Sequence, residues 1–145
     1  MGRLGEFIVN HWILSTAFVV IVFLIITTEL KRKLLGFKDL PPNDVVQKMN
    51  RDDAIVIDVR DQGEFDRGHI LNAINIPFGV LESRINEIQE HKDKPVIIAC
   101  RTGQNSAKAC MQLKQQGFND IHKLGGGMMA WTNASLPTAE TDHDA

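Results

Sequence analysis

Residues 95–106 read P-V-I-I-A-C-R-T-G-Q-N-S, and this stretch decides the fold of the chain. The apolar run Val96–Ala99 predicts a buried strand that ends at Cys100. The polar loop Arg101–Asn105 and a helix from Ser106 are expected to follow. A cysteine placed there faces backbone N–H groups at the positive end of a helix dipole, which favour a thiolate and bind anions. Cys100 is therefore a candidate nucleophile. The alternative interpretation is a buried, inert thiol.

Strand and helix patterns alternate on both sides of this stretch. Before it, the predicted elements are a linker or edge strand at 34–40, a helix with Asn43 as its N-cap, a strand at 54–59, a helical turn at 61–67, a strand at 73–76 and an amphipathic helix at 80–91. After it come a helix that ends at Gly117, a strand at 119–124 and a short helix at 128–131. Such alternation predicts an α/β fold, a parallel sheet with helices on both faces. Ligands bind beyond the carboxyl ends of such strands, where Cys100 lies.

The N-terminal part predicts a membrane anchor. Phe7–Thr28 is a run of 22 residues without a formal charge, and about 20 helical residues cross a hydrocarbon layer of ~30 Å. A cleaved signal peptide is the competing interpretation, but its apolar region is shorter and a small-residue cleavage site follows it. The basic cluster 31–33 predicts, by the positive-inside rule, that the chain after it is cytoplasmic. We therefore expect an inner-membrane protein with a transmembrane helix at 7–28, a juxtamembrane linker at 29–36 and a short external N-terminus.

Composition narrows the remaining function classes. The chain has 16 basic and 18 acidic residues, and the part after position 33 has 12 and 16. This balance offers no basic patch, so we expect no nucleic-acid partner. The two cysteines form neither a CxxC motif nor a Cys/His cluster, so neither a disulfide framework nor a metal site is expected. Residues 138–145 are predicted to be an acidic, disordered tail.

Several short motifs, each different, lie along residues 37–137. They are Asp58-Val59-Arg60, Glu64-Phe65, Gly68-His69-Ile70, Ala73-Ile74-Asn75-Ile76-Pro77, Cys100-Arg101-Thr102-Gly103 with Ser106, Gly117-Phe118, and Gly125-Gly126-Gly127-Met128 with Ala130-Trp131. In this order and spacing, region 37–137 resembles the rhodanese-like sulfurtransferase domain. The whole chain resembles a membrane-anchored, single-domain member of bacterial type.

This resemblance implies an activity and a set of site residues. Cys100 would be the nucleophile, which takes a sulfane sulfur from thiosulfate or a persulfide and passes it, as its own persulfide, to a thiol or cyanide. No cofactor is implied. The anion-binding loop would consist of Arg101, Thr102, Gly103, Gln104, Asn105 and Ser106. Asp58, Arg60 and His69 are interpreted as structural support of the site rather than as acid–base groups.

Three alternatives follow from the same residues. Cysteine-dependent phosphatases have the pattern C-x5-R, but the sixth residue after Cys100 is Ser106, so a phosphatase is disfavoured. Asn105 stands where many thiosulfate-using members have Arg or Thr, which favours a persulfide donor. A non-catalytic module that binds another protein at the membrane is the rival function.

Cys110 is predicted to be a small core residue rather than a resolving cysteine.

Overall fold

The computed structural model describes residues 2–141, apart from the side chains at positions 4 and 32–35. The chain divides into two compact units between Gly36 and Phe37. Positions 142–145 of the predicted tail lie outside the described residues.

The N-terminal unit consists of two helices, α1 (Gly2–Asn10) and α2 (Trp12–Leu35). Within the described residues, one helix is long and apolar enough to cross a membrane, over Trp12–Lys31. These 20 residues rise by about 30 Å, the thickness of a hydrocarbon layer. The predicted span at 7–28 differs at its start, because the chain leaves helical geometry at His11 (φ −126°, ψ 42°).

The end of α2 also differs from the sequence prediction. Positions 29–36 were expected to form a linker, but the helix continues to Leu35. Glu29, Leu30 and Lys31 are all good helix formers, so the helix has no reason to stop before them. Gly36 ends it in the left-handed conformation at φ 72°, which glycine adopts without steric cost.

The C-terminal unit is built on a parallel sheet, as predicted. Within the described residues it has five strands in the order β1-β5-β4-β2-β3. They are β1 (Lys38–Leu40), β2 (Ile55–Asp58), β3 (Ile74–Asn75), β4 (Val96–Ala99) and β5 (Ile121–Leu124). Every residue of the central strand β4 is buried, which explains its unbroken apolar run. Asp58 pairs with Ala99, so the ends of β2 and β4 lie side by side.

Helices complete the unit. They are α3 (Pro42–Asp52), α4 (Gln62–Arg67), α5 (Leu81–Arg84), α6 (Gln104–Gln115) and α7 (Gly127–Asn133). On one face of the sheet, Val56 and Ile97 pack in a core cluster with Val45 of α3 and Trp131 of α7. Successive strand residues alternate in direction, so the neighbouring residues of β2 and β4 supply the core of the opposite face, where α6 contacts β4 and β5.

Two predicted helices differ in detail. Helix α3 begins at Pro42 with Pro41 as its N-cap, so the assignment of Asn43 as N-cap was wrong. Proline suits the first helical position because its missing N–H would have no acceptor there. The predicted helix at 80–91 is the single α-turn α5 followed by a 3-10 helix, Ile85–His91. The buried Ile85 and Ile88 are three residues apart, which is the repeat of a 3-10 helix.

The C-terminal segment is ordered further than predicted. The backbones of His69 and Ala139 exchange two hydrogen bonds, at 2.9 and 2.8 Å. The backbone N–H of Thr141 donates to the carbonyl of Asp66 at 3.0 Å, and the indole N–H of Trp131 donates to the carbonyl of Pro137 at 3.1 Å. The prediction of a disordered tail was therefore wrong over residues 138–141.

Candidate active site

Cys100 follows β4 and lines a cavity of 390 Å³. Its side chain is 4% exposed, and its Sγ accepts a hydrogen bond from the backbone N–H of Gly103 at 2.8 Å. The cavity is lined by Val59, Arg60, Asp61, Glu64, Phe78, Gly79, Cys100, Arg101, Thr102, Gln104 and Asn105. The sulfur thus faces a small pocket while one backbone donor already points at it, an arrangement that stabilises negative charge on sulfur.

The loop after Cys100 is tighter than the sequence indicated. Helix α6 begins at Gln104, two residues before the predicted start at Ser106. Gly103 makes this possible because, at φ 98°, it turns the chain in a conformation that other residues rarely adopt. The hydroxyl of Ser106 donates to the carbonyl of Gly103 at 2.7 Å and fixes the turn. Gln104 and Asn105 therefore belong to the first helical turn, whose backbone N–H groups have no acceptor within the helix.

The start of α7 donates backbone hydrogen bonds to this loop. The backbone N–H groups of Met128 and Met129 donate to the carbonyls of Cys100 (2.8 Å) and Arg101 (3.3 Å). A Cβ at Gly127 would lie 2.5 Å from the Cys100 carbonyl oxygen and 2.6 Å from that of Arg101. Glycine at this position therefore lets the backbone of α7 approach the cysteine loop directly.

Asp58 and Arg60 form an ion pair at the end of β2 that is largely buried. The Arg60 guanidinium donates to both carboxylate oxygens of Asp58, with the shortest distance 2.6 Å from Nη2 to Oδ2. Nη2 of Arg60 also donates to the carbonyl of Gly68 at 2.8 Å. The side chain of Asn75, which the sequence analysis gave no role, donates to the carbonyls of Asp58 and Arg60. These contacts hold the chain after β2 beside the cavity.

His69 makes its contacts with Phe65 rather than with the Cys100 cavity. Its Nδ1 is 2.8 Å from the carbonyl oxygen of Phe65, and its ring stacks on that of Phe65 with centroids 3.7 Å apart. It does not belong to the cavity lining. These contacts fix the ring of His69 against α4.

The remaining loop residues line two cavities. Arg101, Thr102, Gln104 and Asn105 line the Cys100 cavity, and Thr102, Gly103, Gln104 and Ser106 line a neighbouring one of 280 Å³. The Arg101 side chain is 74% exposed, and its Nε lies 3.8 Å from Oε1 of Glu64. Phe78 and Gly79 complete the first cavity, although no sequence pattern indicated them. They come from a 3-10 turn, Phe78–Val80, that a backbone hydrogen bond between Phe78 and Val59 holds next to β2.

Cys110 lies in the core, as predicted. It is fully buried, and its Sγ donates to the carbonyl of His122 at 3.9 Å. Burial raises the pKa of the Cys110 thiol to about 12, against the opposing effect of the Lys123 charge. The thiol therefore stays protonated at physiological pH, which makes it a poor nucleophile.

Comparisons with known proteins agree with this geometry. The Rhodanese-like domain family matches residues 41–134. Uncharacterized protein YibN of Escherichia coli is 29% identical over 138 residues, which cover 94% of this chain and 96% of YibN. The thiosulfate sulfurtransferase GlpE of Shewanella oneidensis is 35% identical over 100 residues, which cover 69% of this chain and 97% of GlpE. A solved structure of a rhodanese-related protein from Thermoplasma volcanium matches with a TM-score of 0.65 at 28% identity, covering 72% of this chain and 100% of that one.

Proposed function

Because the chain belongs to the rhodanese-like domain family, we propose that it is a membrane-anchored sulfurtransferase with Cys100 as its nucleophile. The observation that carries the proposal is the short contact between the Gly103 N–H and Cys100 Sγ, 2.8 Å, inside a cavity at the carboxyl end of β4. Relatives that bear the name sulfurtransferase support the same class of activity.

The first half-reaction loads the enzyme. The Cys100 thiolate attacks the outer sulfur of a donor, a new S–S bond forms, and the S–S bond of the donor breaks. The electron pair of that bond leaves with the donor remnant, which is sulfite when the donor is thiosulfate and a thiolate when it is a persulfide. Charge stays on sulfur throughout, so the Gly103 N–H and the first turn of α6 stabilise both the thiolate and the persulfide anion.

The second half-reaction removes the transferred sulfur from Cys100. An acceptor thiolate or cyanide attacks the outer sulfur of the Cys100 persulfide, and Cys100 leaves as a thiolate, ready for another cycle. Small sulfur donors and thiols are thus the partners we propose, together with a membrane protein that the anchor would place nearby.

Asn105 determines the donor that we expect. It lines the cavity with an uncharged side chain, which leaves Arg101 as the one cation among residues 101–106. Loss of one charge-assisted hydrogen bond to thiosulfate lowers kcat/KM for this donor about tenfold. We therefore expect a small persulfide to be used at least about tenfold better than thiosulfate. Asn105→Arg is expected to raise kcat/KM for thiosulfate by a similar factor.

Steady-state turnover of the full chain in detergent tests this proposal, with thiosulfate or cysteine persulfide as donor and cyanide as acceptor. Thiocyanate formation measures the rate. Turnover with the persulfide supports the enzyme. If neither donor yields thiocyanate, the protein is the non-catalytic binding module instead.

The anchor gives the proposal its cellular place. The apolar stretch Trp12–Lys31 is followed by two further basic residues at 32–33, so by the positive-inside rule we expect the rhodanese-like unit to lie in the cytoplasm. Protease added to intact spheroplasts is expected to leave this unit uncut, and protease added to inverted membrane vesicles to digest it. Digestion in intact spheroplasts would reverse the proposed orientation.

A further inference from the structure

Another cavity, distinct from the two described above, adjoins the one at Cys100. It has a volume of 360 Å³ and is lined by Arg60, Glu64, Arg67, Gly68, Arg101, Met128, Thr132 and Thr138. The two cavities share Arg60, Glu64 and Arg101, so they lie next to each other. Each volume falls in the range of small-molecule sites. We call the cavity of 360 Å³ the arginine cavity.

The arginine cavity carries excess positive charge. The Arg60 charge is balanced by Asp58, because the two form a buried ion pair. Among the described residues that line the cavity, Arg67 and Arg101 remain, against the carboxylate of Glu64, which lies 3.8 Å from Arg101. Arg67 uses its Nε to donate to the carbonyl of Gly63 at 2.9 Å. Its two Nη groups are the part of the guanidinium that can donate to a ligand carboxylate.

We propose that the arginine cavity binds the carboxylate of an acidic low-molecular-weight thiol, which is the acceptor of the Cys100 sulfur, and that Arg67 determines this specificity. The inference rests on the proposed sulfurtransferase function. A guanidinium recognises a carboxylate through paired, charge-assisted hydrogen bonds. An uncharged thiol gains none of these contacts, although it reaches the same sulfur.

The transfer step needs no further reactant. With its carboxylate in the arginine cavity, the acceptor places its thiolate in the adjoining Cys100 cavity. The thiolate attacks the outer sulfur of the Cys100 persulfide, so the new S–S bond forms on the acceptor while the S–S bond to Cys100 breaks. Cys100 keeps the electron pair as a thiolate, and the acidic thiol departs as its persulfide anion.

Single-turnover discharge of the full chain in detergent isolates this step. Cys100 is first loaded with inorganic polysulfide, and the excess is removed. Loss of the sulfur is then followed by intact mass against rising concentrations of glutathione or 2-mercaptoethanol, which are an acidic and an uncharged probe. The variants are Arg67→Ala and Arg67→Lys. Arg51→Ala is the matched control, since Arg51 is an exposed arginine of α3 outside the arginine cavity.

We expect wild-type protein to prefer glutathione over 2-mercaptoethanol by more than their intrinsic reactivities predict. Arg67→Ala should lower the ratio of the two second-order discharge constants about fivefold, the effect of one partly exposed ion pair. Arg67→Lys should recover part of this loss, and Arg51→Ala should keep the wild-type ratio.

Two results would overturn the inference, and they differ from failure of the proposed function. If Arg67→Ala leaves the ratio unchanged, Arg67 does not determine specificity. If Arg51→Ala lowers the ratio as much as Arg67→Ala does, general surface charge explains the preference. Absence of loading by polysulfide would instead remove the sulfurtransferase function on which the inference rests.

Discussion

Cys100→Ser is expected to abolish sulfur transfer, with a loss of about 10⁴-fold or more in kcat. The substitution keeps the size of the side chain close to that of cysteine. It replaces the sulfur that accepts the Gly103 hydrogen bond by a hydroxyl that neither ionises at neutral pH nor forms a persulfide. The measurement is thiocyanate formation from the preferred donor, alongside a thermal unfolding curve that shows the variant is folded.

Cys110→Ala is the matched control for this substitution. Burial holds the pKa of the Cys110 thiol at about 12, so at neutral pH this cysteine remains a thiol and takes no part in transfer. The variant should therefore turn over like wild type, apart from a modest loss of stability. Equal losses of activity in the two variants would contradict the assignment of Cys100 as the nucleophile.

Gly127→Ala is expected to destabilise the rhodanese-like unit by about 2–5 kcal/mol. Gly127 has φ 63°, a left-handed conformation that costs an alanine about 1–2 kcal/mol. The added Cβ would also lie 2.5 Å from the carbonyl oxygen of Cys100. Relief of this overlap moves α7 away from the loop and removes the hydrogen bonds that Met128 and Met129 donate to it. We therefore expect lower activity in the protein that remains folded.

Chemical denaturation and turnover together measure both effects. Gly63→Ala is the matched control, because a Cβ at Gly63 meets nothing within 4 Å and the residue lies inside α4. Alanine is favoured over glycine there by up to about 1 kcal/mol. If Gly127→Ala were as stable and as active as Gly63→Ala, this result would contradict the close backbone contact between α7 and the cysteine loop.

The sequence predicted the sheet and the position of Cys100 because both depend on local patterns. A four-residue apolar strand buried on both faces, such as Val96–Ala99, is visible as an uninterrupted run. The alternation of such runs with helical patterns then determines the parallel architecture. Gly117 directly follows the C-cap of α6, at φ 91°, and this position and the burial of Cys110 follow from the same local rules.

The features that the sequence did not predict depend on backbone contacts between distant segments. The docking of Ala139 beside His69 consists of main-chain hydrogen bonds, which leave no side-chain pattern. The same holds for the contact of Gly127 with the Cys100 carbonyl. The early start of α6 depends on the left-handed geometry of Gly103, and a glycine in a loop does not reveal its φ angle.

The arginine cavity shows a further limit of sequence analysis. Arg101 was expected in the anion-binding loop because it follows the cysteine directly. Arg67 lies 33 residues before Cys100 and reaches the same region because β2 and β4 are neighbours. A charge brought to a site by sheet topology is not recognisable from spacing along the chain.

The intact mass of the full chain after exposure to a sulfur donor tests the central claim most directly. The experiment compares wild-type protein with Cys110→Ala and Cys100→Ser. Each protein is treated with cysteine persulfide and freed of excess reagent, and its intact mass is measured before and after addition of cyanide. Wild type and Cys110→Ala should gain the mass of one sulfur atom and lose it to cyanide, while Cys100→Ser gains none. A wild-type protein that gains no sulfur, or a Cys100→Ser variant that gains the same cyanide-labile sulfur, would contradict persulfide chemistry at Cys100.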